Sequence, residues 1–175
     1  MKSLLTFALV VLITLSSIAQ EKLTTKSGVI KFEASTENFE PVAATNKTTS
    51  AILKKDGSLA VLGLIKGFQF KKKLMQEHFN QKKFMDSEQF PKAKFAGNLT
   101  DYKGEDGEYK VTGNLTIHGV TKEIETLATI KNVDGAVYLN TKLTVLVADY
   151  GIIIKSKLAK KIAEKVNIEI DLELK

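Results

Sequence analysis

The chain has 175 residues, enough for one domain with a substantial core and too few for two large ones. It contains no cysteine, which excludes disulfides, thiolate nucleophiles and Cys-held metals, so the core must hold the fold unaided. The formal charge is +6, every basic residue is lysine, and tryptophan is absent. Lysine lacks the guanidinium fork that suits phosphates and base edges, so nucleic acid is not an expected partner. A solvated surface, or weak peripheral contact with anionic lipid, fits this charge better.

Residues 1–19 read as a secretory signal peptide. Met1-Lys2 supplies the charge, Leu4–Leu15 the apolar run, and Ser17-Ile18-Ala19 the small residues before cleavage at Gln20. A run of about 12 apolar residues falls short of the roughly 20 that span a bilayer, which argues against an uncleaved anchor. Export without disulfides points to a periplasmic or secreted protein. Residues 20–175 then form the mature domain.

Lys22–Thr36 opens as an extended segment with Ile30, Phe32 and Ala34 on one face. The polar stretch Glu37–Lys47 reads as an irregular connection. Thr48–Lys54 and Ser58–Ile65 flank Lys55-Asp56-Gly57 and predict a hairpin. Leu59–Ile65 is apolar on both faces, as in a strand covered on both sides or a helix-packed segment. The pattern breaks over Phe68–Pro91, where Leu74, Met75 and Phe79 recur at helical spacing within Lys72–Asn80. A second short helix is expected over Asp86–Gln89, ended by Pro91. This Phe- and Met-rich insert must bury its apolar side against the sheet, as a plug or lid.

Strands resume at Ala93–Tyr102. Tyr109–Ile130 then reads as a hairpin with Tyr109, Val111, Gly113, Leu115 and Ile117 on its apolar face. An even-length loop over His118–Thr121 sets Ile124, Ala128 and Ile130 beside Leu115, Val111 and Tyr109, whereas an odd one would bury Glu123 and Glu125. Gly135–Val147 follows the Asp134-Gly135 turn, Ser156–Glu164 carries Leu158 and Ile162 one helical turn apart, and Val166–Leu174 alternates strictly. About eight strands joined by short turns, with one helical insert, predict an all-β fold: an eight-stranded antiparallel β-barrel. An outer-membrane barrel alternates equally well, but 7% aromatics, no tryptophan and no aromatic girdle argue against it.

Little in the sequence suggests catalysis. His78 and His118 have no ligand-pair spacing and read as surface or rim residues, so no metal is expected. No serine sits in a nucleophile-elbow motif, no glycine-rich phosphate loop suggests a cofactor, and the strand carboxylates face outward. The inward face mixes small residues (Gly63, Gly97, Gly113, Ala128) with large ones. Those small residues either leave a cavity or accommodate a bulky neighbour.

Three blocks carry a resemblance. Gly113–Ile124, G-N-L-T-I-H-G-V-T-K-E-I, resembles the signature hairpin of the YceI-like family. Met85–Phe95, ending F-P-K-A-K-F, is similar to the family's F-P block, and Asp149–Ile154, D-Y-G-I-I-I, to its C-terminal region. The sequence departs from the family pattern at Lys26-Ser27-Gly28, in place of an early His-Ser pair, and at His78-Phe79-Asn80, in place of Arg-Asp. The resemblance implies a lipocalin-like barrel that holds a lipidic small molecule: a polyisoprenoid, isoprenoid quinone or fatty-acyl chain. The residues then expected to line the cavity are Phe32, Phe95, Val111, Leu115, Ile117, Leu143, Val145 and Ile170, with Phe70, Phe79 and Phe84 from the insert. A sealed barrel serving as an interaction protein, and an enzyme on a lipidic substrate, are the alternatives.

Overall fold

The computed structural model describes residues 22–37 and 39–175; the expected signal peptide lies outside them. Nine strands form among the described residues: β1 Lys22–Glu33, β2 Ala43–Lys54, β3 Ser58–Leu64, β4 Gln69–Phe70, β5 Lys92–Leu99, β6 Gly107–Ile117, β7 Val120–Val133, β8 Ala136–Leu146 and β9 Lys165–Leu174. Eight of them pair antiparallel with their chain neighbours and close where β1 meets β9, through Val29–Glu33 against Asp171–Asn167. Backbone bonds Thr24 N to Lys175 O (2.7 Å) and Lys175 N to Thr24 O (3.0 Å) complete the seam. The two-residue β4 adds only to β2. The result is a closed antiparallel eight-stranded barrel, and closure leaves no full-length edge exposed.

Local chemistry explains where the strands differ from expectation. The β6–β7 turn is the two residues His118 and Gly119, at φ 51° and 77°, so Ile117 pairs with Val120. Two successive positive φ values mark the tight primed turn that suits strand twist. The parity is as expected, but the register moves by two: Ile124 faces Gly113, Ala128 faces Tyr109, and Ile130 faces Gly107. Asp134 and Gly135, at φ 50° and 79°, make the same turn between β7 and β8.

β2 starts at Ala43, well inside the stretch that reads as an irregular connection. Its polarity misleads because Asn46 is wholly buried yet satisfied: Nδ2 donates to Leu64 O (2.9 Å), and Oδ1 accepts from Thr48 N (2.8 Å) and Thr48 Oγ1 (2.9 Å). β3 is covered on one face only, with Ala60 and Leu64 exposed, and Ile65 leaves the strand in a 3-10 turn. β1 ends at Glu33, and β5 ends at Leu99 with Tyr102 in the following loop. The insert holds one helix, α1, Lys73–Asn80. Asp86–Gln89 is not helical; Asp86 sits at φ 42°, and Phe90 N closes a single turn onto Asp86 O at 2.8 Å. The lysine-rich segment after β8 keeps only the four-residue helix α2, Ser156–Ala159.

The antiparallel meander sorts its connections to two ends. The short connections, residues 55–57, 100–106 and 134–135, lie at the foot. The long connections, residues 34–42, 65–91 and 147–164, lie at the head with the His118-Gly119 turn. Packing differs between the ends. Towards the foot Leu53, Leu99, Ala128, Ile130, Leu139 and Leu174 are at most 2% exposed, with Tyr102 and Tyr109 stacked edge-on at 5.3 Å beside them. Towards the head the inward Phe32, Leu115, Ile117, Leu143, Ile168 and Ile170 remain only half-buried.

Candidate functional site

That unfilled upper half is a cavity of about 690 Å³. Its floor is set by Leu59, Val111, Leu139 and Leu172, and its wall rises through Val61, Phe95, Leu115, Leu143, Val145, Ile168 and Ile170. The strand period delivers this wall, because residues two apart on β6, β8 and β9 all point inward. The only polar side chains that the strands contribute to it are Thr126 and Thr141. Both hydroxyls are committed to backbone: Thr126 Oγ1 donates to Lys142 O and Thr141 Oγ1 to Leu127 O, each at 2.7 Å. The wall is therefore chemically apolar.

Those two bonds also mark a seam. β7 pairs with β8 only from Ala128 to Val133; above that level β8 keeps only β9 as its partner through Leu146. The threonine hydroxyls satisfy carbonyls where the ladder parts. Higher up, His118 Nδ1 donates to Tyr150 O at 3.2 Å and rejoins the two sides. A second hollow, of about 930 Å³, shares Phe32, Ile124, Thr126, Leu143 and Ile168 with the first, so these side chains border both.

The insert roofs part of the mouth. Phe79 of α1 stacks on Phe32 of β1 (5.5 Å, 22°), and meets Phe70 at 5.0 Å and Phe68 at 5.9 Å. Offset and tilted rings at these separations attract beyond their area burial. This cluster docks α1 on the rim, although no residue of the helix is fully buried. Phe84, Met75 and Met85 reach the cavity from the same side, while Ile152, Ile154, Leu158 and Ile162 close in from the segment after β8. Between them the mouth carries Glu40, Lys72, His78, Lys83 and Lys161. Lys72 Nζ pairs with Glu40 at 2.5 Å. Lys83 and Lys161 have no ion-pair partner among the described residues.

All eleven residues expected from the sequence border this cavity: Phe32, Phe70, Phe79, Phe84, Phe95, Val111, Leu115, Ile117, Leu143, Val145 and Ile170. Strand alternation also put Ile168 and Leu172 on the inward face, yet neither was among the expected wall residues. The contribution of Ile152 and Ile154, and of Phe39 and Val42, has no periodic signal that could reveal it. The small residues do not make the cavity. Gly97 and Gly113 face each other across β5 and β6, and Phe95 lays its ring end over both, 2.5 and 2.8 Å from where a Cβ would stand. The histidines are far apart in role: His78 is exposed at the mouth, and His118 packs its ring on Phe90 at 4.5 Å within the turn. Among the described residues no three His, Asp or Glu side chains cluster as a metal site.

The YceI-like domain model matches residues 17–174. The chain belongs to the YceI-like family. Its barrel superposes on that of Burkholderia cenocepacia BcnA with a TM-score of 0.73, at 20% identity, over 85% of this chain and 96% of the other. A polyisoprenoid-binding domain from Saccharophagus degradans gives a TM-score of 0.75 at 12% identity, over 89% and 98%. The Campylobacter jejuni YceI protein gives 0.61 at 22%, over 80% and 89%. At these identities the likeness is one of fold. Among curated proteins, a Photorhabdus laumondii UPF0312 protein is 42% identical over 48 residues, 27% of this chain; the match spans about a quarter of that relative, 24%. The YceI-like member thus has a family barrel whose head half is hollow.

Proposed function

We propose that this protein binds and carries a long-chain amphiphile outside the cytoplasm, as a periplasmic or secreted protein without catalytic activity. The observation that carries the reading is the one-ended apolar cavity: 690 Å³ of space walled by half-buried Phe, Leu, Ile and Val. Water meets apolar wall there, and replacing it with a hydrocarbon chain gains about 25 cal/mol per Å² covered. A pocket of this size and composition, with polar groups gathered at one end, is the arrangement that takes a tail inward and leaves a head outside. Candidate cargoes are a polyisoprenoid, an isoprenoid quinone or a fatty-acyl chain. The similarity in fold to a polyisoprenoid-binding domain supports the first. Lys83 and Lys161 at the rim favour an anionic head such as a carboxylate or phosphate. The sealed-barrel alternative requires a filled interior, and the upper half is not filled.

Native mass spectrometry of freshly purified protein, with organic extraction of what it releases, tests the proposal. A bound hydrocarbon-chain species is expected. Protein that is empty on isolation and also fails to take up long-chain fatty acids or isoprenyl phosphates would overturn it.

A further inference from the structure

We propose that the head of the barrel is a docking face for an anionic lipid bilayer. The inference rests on the cargo reading only for its purpose, since a carrier must meet the phase that supplies its cargo. Charge is divided along the barrel axis. The two long head connections, residues 65–91 and 147–164, carry ten lysines against five acids, with Glu37 and Glu40 of the third connection subtracting two. The foot turns, residues 55–57, 100–106 and 134–135, carry two lysines against five acids. The connections at the two ends therefore carry opposite net charge, with the cavity mouth at the positive end.

Three of the head acids are already paired with lysines: Glu40 with Lys72, Glu77 with Lys73 and Glu88 with Lys66. Lys71, Lys82, Lys83, Lys155, Lys157 and Lys161 are exposed and have no ion-pair partner among the described residues. Each lysine held near an anionic surface strengthens binding by about fivefold, an effect confined to roughly a Debye length. Apolar tips protrude from the same ring. Ile153 is 78% exposed, Leu74 61% and Phe39 42%, all bordering or adjoining the mouth. Large side chains this exposed beside lysines suit the headgroup layer, where apolar tips enter while ammonium groups stay at the phosphates. An acidic protein would meet the lysines but gives Ile153 and Leu74 no comparable apolar layer.

The chain has no tryptophan, so a single introduced indole reports its own surroundings. Protein beginning at Gln20 is prepared as Leu74→Trp, Ile153→Trp and, at the foot, Val133→Trp, which replaces a residue 46% exposed. Each is titrated with phosphatidylcholine vesicles with and without phosphatidylglycerol. The expected result is a blue shift at Leu74→Trp and Ile153→Trp with anionic vesicles only, reversed by high salt, and none at Val133→Trp. Co-sedimentation of Lys82→Glu/Lys83→Glu/Lys157→Glu should fall at least tenfold, while Lys55→Glu/Lys103→Glu at the foot stays unchanged. Equal shifts at head and foot, equal binding to neutral vesicles, or no binding at all overturns the proposal. Ile153 does not line the cavity, so cargo entry alone cannot imitate its shift. Protein that holds cargo in mass spectra yet ignores vesicles sinks the docking face and leaves the carrier reading intact.

Discussion

The depth of the cavity makes a quantitative prediction about chain length. Along β8 and one residue past its end, the wall runs from Leu139 at the floor to Val147 at the rim, eight residues apart. At about 3.3 Å per residue, and with strands tilted by about 40° from the barrel axis, that is a depth of roughly 20 Å. An all-trans chain of ~1.5 Å bonds at ~111° advances about 1.25 Å per methylene, so roughly 16 methylenes reach the floor. Volume gives a similar limit: counting a methylene as water-sized, ~30 Å³, the 690 Å³ cavity takes about 23. Affinity for a homologous series of fatty acids should therefore rise by about 0.8 kcal/mol, nearly fourfold, with each added methylene and then level off at roughly 16 to 23 carbons. Isothermal titration or displacement of a fluorescent fatty acid across the series measures the slope and the break. Leu143→Trp should move the break to shorter chains at nearly unchanged stability, because Leu143 faces open space. Leu139→Trp, at a residue 2% exposed, should instead cost about 1–3 kcal/mol through overpacking. Affinity that is flat with chain length, or still climbing well past about 23 carbons, would refute a closed floor at Leu139.

Three further outcomes follow from features of the barrel itself. Asn46→Ala removes the partner of Leu64 O and of Thr48 N at a fully buried position, so it should cost about 2–4 kcal/mol by denaturant unfolding. Gly97→Ala drives a methyl into Thr112 O, Gly113 Cα and the Phe95 ring; backbone cannot step aside cheaply, so a loss of about 3 kcal/mol and a melting point lower by roughly 10 °C are expected. Acid should destabilise the fold before base does. Lys142 hydrogen-bonds Glu169, Lys175 Glu173, Ser58 Asp56 and Asn132 Asp106, and each bond holds its carboxylate below the ordinary value of 4.5 or 3.8. A depressed pKa gives stability that is complete above the unfolded value and lost as pH falls through the folded one, so melting temperature should decline from about pH 4 downward. Lys31 is shifted the other way by its hydrogen bond and charge interaction with Asp171, and its contribution fades only above about pH 10. Thermal melts across pH check the order of the two limbs.

Much of this structure is legible in the sequence because a strand has only two faces. Parity alone assigns Val111, Leu115, Leu143 and Ile170 to the interior, and glycine turns punctuate the meander. The two-residue error at the central hairpin has a specific origin: His118 occupies the left-handed region, which Asn or Asp before glycine would have announced, as Asp134 does. β2 reads short in the sequence for a different reason. A buried asparagine at a register shift between β1 and β2 has the same composition as a loop, and only its partners Leu64 and Thr48 distinguish the two. The mouth is least legible, since residues 34–42 and 147–164 owe their positions to the barrel they cover.

Whether a barrel is hollow is not a property of any strand. Leu139 and Leu143 are the same residue type, four apart on one face of one strand, and only the first is fully packed. The difference lies across the barrel. At the foot, short turns bring Leu53, Leu99, Ile130 and Leu174 together with Tyr102 and Tyr109, and the interior fills. At the head, long connections hold the strand ends apart, and α1 spends its aromatic residue on the rim cluster with Phe32 instead of entering the barrel. The filled half supplies a core that needs neither cargo nor disulfide, which leaves the upper wall free to remain unsatisfied. A wall of half-buried phenylalanine and leucine is tolerable only because that lower core carries the stability. In the proposed carrier role, the same division would make cargo a ligand of a folded protein rather than a part required for folding, as loading and release demand.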